Sequence, residues 1–481
     1  MSKKVKNNKL HTKTKKHTFK KNKKKSNKKL LKNQTFGIGS KLINSIIIGL
    51  DEDDKSHVCK IAEGLDEYDL AHLIETLDIK HRLKLIEFLG KHINPDVLPE
   101  LNDTVQEQVI DSLDEEQIVD IVNELDSEEA VEVLEHLDGD EQETIISKLE
   151  PELKHQVQSS LSYPEDSAGR IMSREFVSMP DDWTVKEAKQ FLLSDTKLPE
   201  DFYTVFLTDE KMHPTGQITL DKLLRAKPDV LLKNIMDYEI VPINVCTDQE
   251  EVAHMFREYG WMSGIVVDGN NRLIGVINID DVVDIVHEEA NEDMMHLSGA
   301  GEGDVYKSVG GIFRSRIGWL FINLFAVFMA SFVVKGFEDI IAQASFLAVL
   351  MPIVASMSGT TGQQTLAVVV RAIATKELTS RNTLRMIGKE FGVGLLNGLL
   401  FAVLIAGVTC IVFPHQYLVS LIIAIAMLCN LCIASLAGIL IPLTMEKLHF
   451  DPAAASGVFL IAITDSGGFF IFLGLAKLIL F

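Results

Sequence analysis

One carboxylate is unusual for where it lies. Asp465, in the run GVFLIAITDSGGFFIFLGLA at 457–476, is the single charged residue between Pro452 and Ala476. That segment is long enough to cross a bilayer, where an aspartate at mid-depth costs about 2.5–3.5 kcal/mol on insertion scales. Three chemical roles are open to such an acid. It is a structural acid, protonated or paired with Arg371; a catalytic aspartate; or a ligand for a cation crossing the membrane. Catalysis by aspartate needs two carboxylates sharing one site. The other aspartates of the region, Asp339 and Asp451, lie at the ends of spans, so the cation role is the strongest of the three.

A second polar feature lies inside the apolar stretch 340–370: Pro352, then SMSGTTGQQ at 356–364. Proline and clustered glycines weaken a regular helix. Broken backbone at membrane depth is tolerated where it is buried or faces a water-filled path, and its freed carbonyls can hold a cation. An interrupted helix is therefore expected here, the alternative being a kink in which Gly359 and Gly362 serve helix packing. Cys429 and Cys432 form a C-x-x-C within another apolar run, but no second ligand pair accompanies them, and small residues at a helix contact fit better than zinc or redox chemistry.

The elements that must position these residues follow from composition. The chain has 481 residues, 47% hydrophobic, with a formal net charge of −21, which points to part soluble, part membrane protein. Five apolar stretches, 317–334, 340–370, 391–413, 417–445 and 452–476, read as membrane spans. Lys376, Arg381, Arg385 and Lys389 between the second and third place that loop in the cytosol. The large N-terminal region is then expected inside and Phe481 outside. Residues 1–36 form a basic tract, and residues 1–50 hold 16 Lys and no acid. It has no apolar core, so no signal peptide is read there, and a disordered tail drawn to anionic lipid is expected. Nothing interleaves aromatics with that charge, and no nucleic-acid partner is expected. Residues 51–160 are the opposite, with 32 acids against 8 Lys and Arg, a field that calls for metal cations or a basic surface.

Leucines recur every twelve residues at 65, 77, 89, 101, 113, 125, 137, 149 and 161, and the best units read LDEEQIV, LDSEEAV and LDGDEQE. Asp114, Asp126 and Asp138 are placed to cap helices, with Gln117, Glu129 and Glu141 closing a box. Units this short must stack, which predicts an acidic all-α superhelix. After SYPEDSAGRIM (162–172) the pattern changes to β-branched runs, FVSMP, YTVFLTD, GQITL, EIVPINV, SGIVVDG and LIGVINI, separated by helical stretches. Two β-α-β units are expected. The stretch 281–301 then reads as a helix ending in glycines.

The runs MPIVASMSGTTGQQTLAVVVRAIATKEL (351–378), KEFGVGLLNGL (389–399), DPAAASGVFLIAITDSGGFF (451–470) and YPEDSAGRIM (163–172) together resemble the MgtE family of magnesium channels and transporters. The likeness runs from about residue 40 to the end. It implies a multidomain membrane protein: an all-α acidic superhelical N domain (37–162), tandem α+β CBS domains (163–232 and 233–286), a connecting or plug helix (287–312) and a five-helix transmembrane domain (313–481). By that resemblance Asp465 is the metal-binding pore aspartate, and Pro352, Gly359, Thr360, Thr361 and Gly362 line the pore. Thr360 stands where the family's G-N-x-G motif has Asn. Glu250, Asp281, Glu289, Glu292 and Asp293 match regulatory Mg²⁺ positions, whereas Gly260 stands where a further sensor aspartate would be expected.

The resemblance implies a homodimer in the plasma membrane, or inner membrane of a Gram-negative cell, with no catalytic residue. Its pore would pass Mg²⁺ and close when cytosolic Mg²⁺ binds the acids. Two other readings of the residues are a transporter of Co²⁺, Mn²⁺ or Ni²⁺ and a non-conducting Mg²⁺ sensor. The all-oxygen surroundings of Asp465 disfavour the first, and the second leaves the polar second span unexplained. CBS pairs often bind ATP or another adenine nucleotide through G-h-h-[ST]-x-x-D. Here GVINIDD (275–281) keeps Asp281 but has Asn278 for the hydroxyl residue, and GQITLD (216–221) has Thr219 but is followed by Lys222.

Overall fold

The computed structural model describes residues 38–194, 198–199, 202–300, 304–378, 381–414 and 416–481. The basic tail expected over 1–36 lies outside the described residues. The chain forms two compact units, the first ending at Val282 and the second beginning at Val283.

The described residues of the first unit begin with nine short α-helices: α1 Ser40–Asp51, α2 Lys55–Ala62, α3 Glu67–Thr76, α4 Ile79–Leu89, α5 Asp103–Ile110, α6 Glu115–Val122, α7 Ser127–Glu135, α8 Gly139–Lys148 and α9 Pro151–Ser160. The twelve-residue repeat sets their spacing. Leu77, Leu89, Leu101, Leu125 and Leu149 are buried between successive helices. Asp66, Asp78 and Asp114 accept from the backbone N–H three residues on, and full capping boxes form at Asp114 with Gln117 and at Asp126 with Glu129. Asp138 makes no such side-chain bond. Arg82 is buried; its guanidinium donates to the carbonyls of Ile74, Glu75 and Leu77 at 2.9, 3.2 and 3.0 Å. These are the carbonyls that the end of α3 leaves unpaired.

A one-turn helix α10 (Ala168–Ile171) leads to two units of like design. In the first, β1 (Ser178–Pro180), α11 (Val185–Ser194), β2 (Thr204–Thr208), β3 (Pro214–Thr219) and α12 (Leu220–Arg225) follow in order. In the second come β4 (Ile243–Asn244), α13 (Gln249–Tyr259), β5 (Ser263–Val267), β6 (Leu273–Asn278) and the long α14 (Ile279–Ser298). Each sheet is three-stranded, with its first strand parallel and its third antiparallel to a wholly buried middle strand.

The two units exchange their leading segments. Ser173 pairs with Val276 of β6, and Asp237 pairs with Gln217 of β3. The glycine opening each candidate nucleotide signature makes room for this exchange. A Cβ on Gly275 would lie 2.6 Å from Met172 Sδ and 2.9 Å from the Ser173 carbonyl; one on Gly216 would lie 2.6 Å from Met236 Sδ and 2.9 Å from the Asp237 carbonyl. Packing therefore accounts for both glycines.

In the second unit α14 ends at Ser298, where Gly299 turns left-handed at φ 64°, so the helix expected over 287–312 ends well before 312. Among the described residues five helices are long and apolar enough to cross a membrane: α15 Val309–Lys335, α17 Phe346–Ala374, α18 Thr383–Val412, α19 Tyr417–Lys447 and α20 Pro452–Leu480. A short α16, Glu338–Gln343, joins the first two. Glycines in KEFGVGLLNGL let α18 close on α19: a Cβ on Gly394 would lie 2.3 Å from Ser435 Oγ, and one on Gly398 2.8 Å from Leu428 Cδ1. Close approach through small residues is how helices bind one another in lipid.

Candidate cation pathway and regulatory acids

Asp465 lies half-buried near the middle of α20. No hydrogen bond or ion pair engages its carboxylate among the described residues, and Arg371, exposed near the end of α17, does not neutralise it. The neighbouring polar side chain on α20 is turned inward, Thr464 Oγ1 donating to the Leu460 carbonyl at 2.9 Å. The structural ion-pair role for this acid thus has no counterpart among the described residues.

The interruption expected in the second span is absent, and this corrects the sequence reading: α17 runs as one α-helix through Pro352, Gly359 and Gly362. Within it Thr360 Oγ1 donates to the Ser356 carbonyl at 2.9 Å and Thr361 Oγ1 to the Met357 carbonyl at 3.0 Å, each folding back one turn so that neither hydroxyl is left unpaired. Thr365 reaches across instead, donating to Glu390 Oε2 on α18 at 3.0 Å.

Of the expected pore-lining residues, Thr361 and Gly362 face the helix core, and Pro352 and Thr360 face outward. Gly362 is a packing residue. A Cβ there would meet Leu460 Cδ1 at 2.8 Å, and its carbonyl lies 2.7 Å from where a Cβ on Gly438 would stand. Around Gly359 nothing lies within 4 Å of the Cβ position. The outward face of α17 is polar for a membrane helix: Pro352, Ser356, Thr360, Gln363 and Gln364 are all exposed.

The regulatory candidates fall in both units. Asp281, in the first turn of α14, accepts from the Asn278 N–H at 3.2 Å, and Asn278 Oδ1 accepts from Ser263 Oγ at 2.8 Å. Asn278 in place of a hydroxyl residue is thus held by the fold itself. Glu250 lies in the first turn of α13, which Asp248 caps. Gly260 closes that helix in the left-handed conformation at φ 65°, a position that favours glycine.

Glu289, Glu292 and Asp293 share α14. His296, one turn on, lies 3.8 Å from Glu292 and 3.0 Å from Asp451. Asp451 also caps α20, accepting from Ala453 N at 2.8 Å and Ala454 N at 2.9 Å. Burial, and then the nearby Asp451 charge, push the Asp293 carboxyl up from its ordinary range. No three His, Cys, Asp or Glu side chains among the described residues converge as a ready-made metal cage.

Two functional candidates were not anticipated. Glu128, in α7, is half-buried; loss of water around it chiefly, and then the charges of Asp281 and Asp126, push its carboxyl up to about 8. Asn430, in α19, is fully buried, and its signal in the sequence was its being the one amide in the run 417–445. The cleft between the β-units, lined by Ile240, Val241, Trp261, Ser263 and Gly264, encloses about 10 Å³, so an adenine ring would require its walls to part.

Comparison with known proteins agrees with this layout. Residues 351–475 match the family model described as a divalent cation transporter. Residues 65–166 match that of the MgtE intracellular N domain, and 168–229 and 232–288 each match a CBS domain. The chain is 30% identical over 449 residues to the magnesium transporter MgtE of Bacillus subtilis, covering 93% of this chain and 98% of that protein. It is 31% identical over 446 residues to the protein of the same name from Thermus thermophilus, covering 92% and 99%. A crystal structure of the cytosolic domain of the Mg²⁺ channel MgtE in complex with ATP aligns at 28% identity and a TM-score of 0.46, covering 50% of this chain and 99% of that one.

Proposed function

The chain belongs to the MgtE family of divalent cation transporters, and on that premise we propose that it passes Mg²⁺ at Asp465 and shuts when cytosolic Mg²⁺ collects on its acids. One observation carries the reading: a half-buried carboxylate in a membrane helix with no counter-charge among the described residues. A cation is the partner it lacks. Mg²⁺ prefers octahedral oxygen and sheds water reluctantly, so a carboxylate touching the ion through retained waters suits it. Softer divalents would favour His or Cys donors.

The exposed polar stripe on α17 supports a homodimer. Ser356, Thr360 and Gln363 facing lipid would be unfavourable; a second copy across a two-fold axis would enclose them in a water-lined path and set two copies of Asp465 opposite one another. Thr360 offers no free hydroxyl proton, since its own helix takes it, so along that path the ion meets an acceptor oxygen.

Regulation rests on Glu250, Asp281, Glu289, Glu292 and Asp293. Bare acids repel one another, and divalent ions bridging them favour a compact, closed arrangement. The raised Asp293 carboxyl supports this, because a bound cation would restore the charge that burial and Asp451 disfavour. Lys376, Arg381, Arg385 and Lys389 support a cytosolic placement of their loop, and with it of the N-terminal domains. A nucleotide such as ATP would act at the CBS pair, near Asn278 and Asp281, once the cleft opens.

Uptake of Mg²⁺ into proteoliposomes by the full chain and by Asp465→Ala, each at low and high Mg²⁺ on the cytosolic face, tests both halves. Loss of flux in the variant and inhibition of the parent by high Mg²⁺ are expected. Undiminished flux in Asp465→Ala would remove the pore assignment, whereas flux indifferent to cytosolic Mg²⁺ would remove the regulatory one.

A further inference from the structure

Asn430 is fully buried on α19 and ties the other two helices of the pathway together. Its Nδ2 donates to Ser358 Oγ on α17 at 2.7 Å and approaches the Val354 carbonyl at 3.4 Å. Ser358 uses its one hydroxyl proton on Val354 or Ala355 of its own helix, both carbonyls lying at 2.9 Å. It can therefore only accept from Asn430, which fixes the orientation of the amide. The other edge of that amide, Oδ1, is buried without a hydrogen-bond partner among the described residues. An orphaned acceptor in so apolar a place is costly and is retained where the opposite edge is needed.

On the α20 side, Gly468 seats against the same amide. A Cβ there would fall 2.3 Å from Nδ2 and 3.0 Å from Cγ. Gly468 is three residues beyond Asp465 and thus on a neighbouring face of the same turn, while Ser358 directly precedes Gly359 and Thr360. One side chain therefore sets the separation between the turn that carries the acid and the turn that begins the polar motif.

We propose that Asn430 is a positioning residue for the ion site: by bridging Ser358 and Gly468 it fixes how far the Asp465 carboxylate stands from α17, and so which hydrated divalent ion fits between them. This rests on the reading of Asp465 as the pore carboxylate. Mg²⁺ demands near-ideal octahedral geometry and Ca²⁺ does not, so loosening the bridge should cost Mg²⁺ more than Ca²⁺.

The test measures Mg²⁺ and Ca²⁺ flux separately in proteoliposomes containing the full chain, Asn430→Ala, Ser358→Ala, Gly468→Ala and the Asn430/Ser358 double variant. Asn430→Ala and Ser358→Ala should each lower the Mg²⁺:Ca²⁺ flux ratio about five-fold, the size of effect one hydrogen bond carries, and Gly468→Ala, which forces a Cβ against the same amide, should lower it as well. The double variant should do no more than either single, since both remove the same bond. Equal loss of both ions, with the ratio kept in Ser358→Ala and Asn430→Ala, would reduce Asn430 to a packing residue and overturn the proposal. If Asn430→Ala does not fold, Ser358→Ala, which removes only a hydroxyl, decides. Asp465→Ala separates the two levels: full flux there sinks the pore reading, whereas lost flux there with an unaltered ratio in the other variants sinks only the role of Asn430.

Discussion

Glu128 sets one expectation at the scale of a single residue. Burial, with Asp281 and Asp126 adding to it, raises its carboxyl from 4.5 to about 8. The folded state then holds the proton more tightly than the unfolded chain does. Stability falls as pH rises from 4.5 towards 8, by at most about 1.4 kcal/mol per pH unit, and is flat above. Glu128→Gln removes this dependence. Its gain in melting temperature over the parent, measured on the full chain without Mg²⁺, should be larger at pH 8 than at pH 5. Equal gains at both would show that the carboxyl does not titrate in that window. Nothing local in LDSEEAV distinguishes Glu128 from the solvated acids around it, because one of the charges acting on it, Asp281, is distant in sequence. Asp465 was legible for the opposite reason: in an apolar run the charge itself is the signal. Asn430 carried the same signal more weakly, as an amide between two cysteines.

At the scale of elements, the capping aspartates and the leucine period fixed the helices of the N domain almost residue by residue, since caps and periodicity are local. The second span shows no interruption at Pro352, Gly359 and Gly362, and of the two readings the packing role holds for Gly362. In the fold, Thr360 and Thr361 bond back along their own helix, and Gly362 is needed where α17, α19 and α20 touch. The two glycines should therefore respond differently to alanine. Gly362→Ala forces a Cβ against Leu460, itself fully buried, and should cost about 1–3 kcal/mol by overpacking. Gly359→Ala meets open space and replaces a helical glycine, so it should leave the chain as stable or about 0.5–1 kcal/mol more so. Thermal unfolding in detergent compares them, and equal destabilisation would deny Gly362 its special contact. If Gly359 lines the path, its alanine variant should nonetheless carry less Mg²⁺, separating stability from transport.

At the scale of the whole molecule, the order of acidic repeat, paired β-units and apolar spans was readable because each change of composition is also a change of solvent or of periodicity. The exchange of leading segments between the β-units was not, since Ser173 meets Val276 and Asp237 meets Gln217 through pairings that no sequence window contains. The reading that joins these parts is that charge gathered in one place controls permeation in another. Its sharpest test removes charge while keeping shape. Glu289→Gln, Glu292→Gln and Asp293→Asn together leave α14 a good helix former and leave the His296 contact with Asp451 in place. They abolish the repulsion that a bridging cation would relieve. If Mg²⁺ closes the pathway by binding there, the triple variant should keep carrying Mg²⁺ at cytosolic concentrations that shut the parent, with flux at low Mg²⁺ unchanged. Inhibition persisting at the parent's concentration would move the sensor away from α14, towards Glu250 and Asp281. Loss of flux at all concentrations would mean instead that these acids feed the pore, because removing local anions lowers the supply of cations at its mouth.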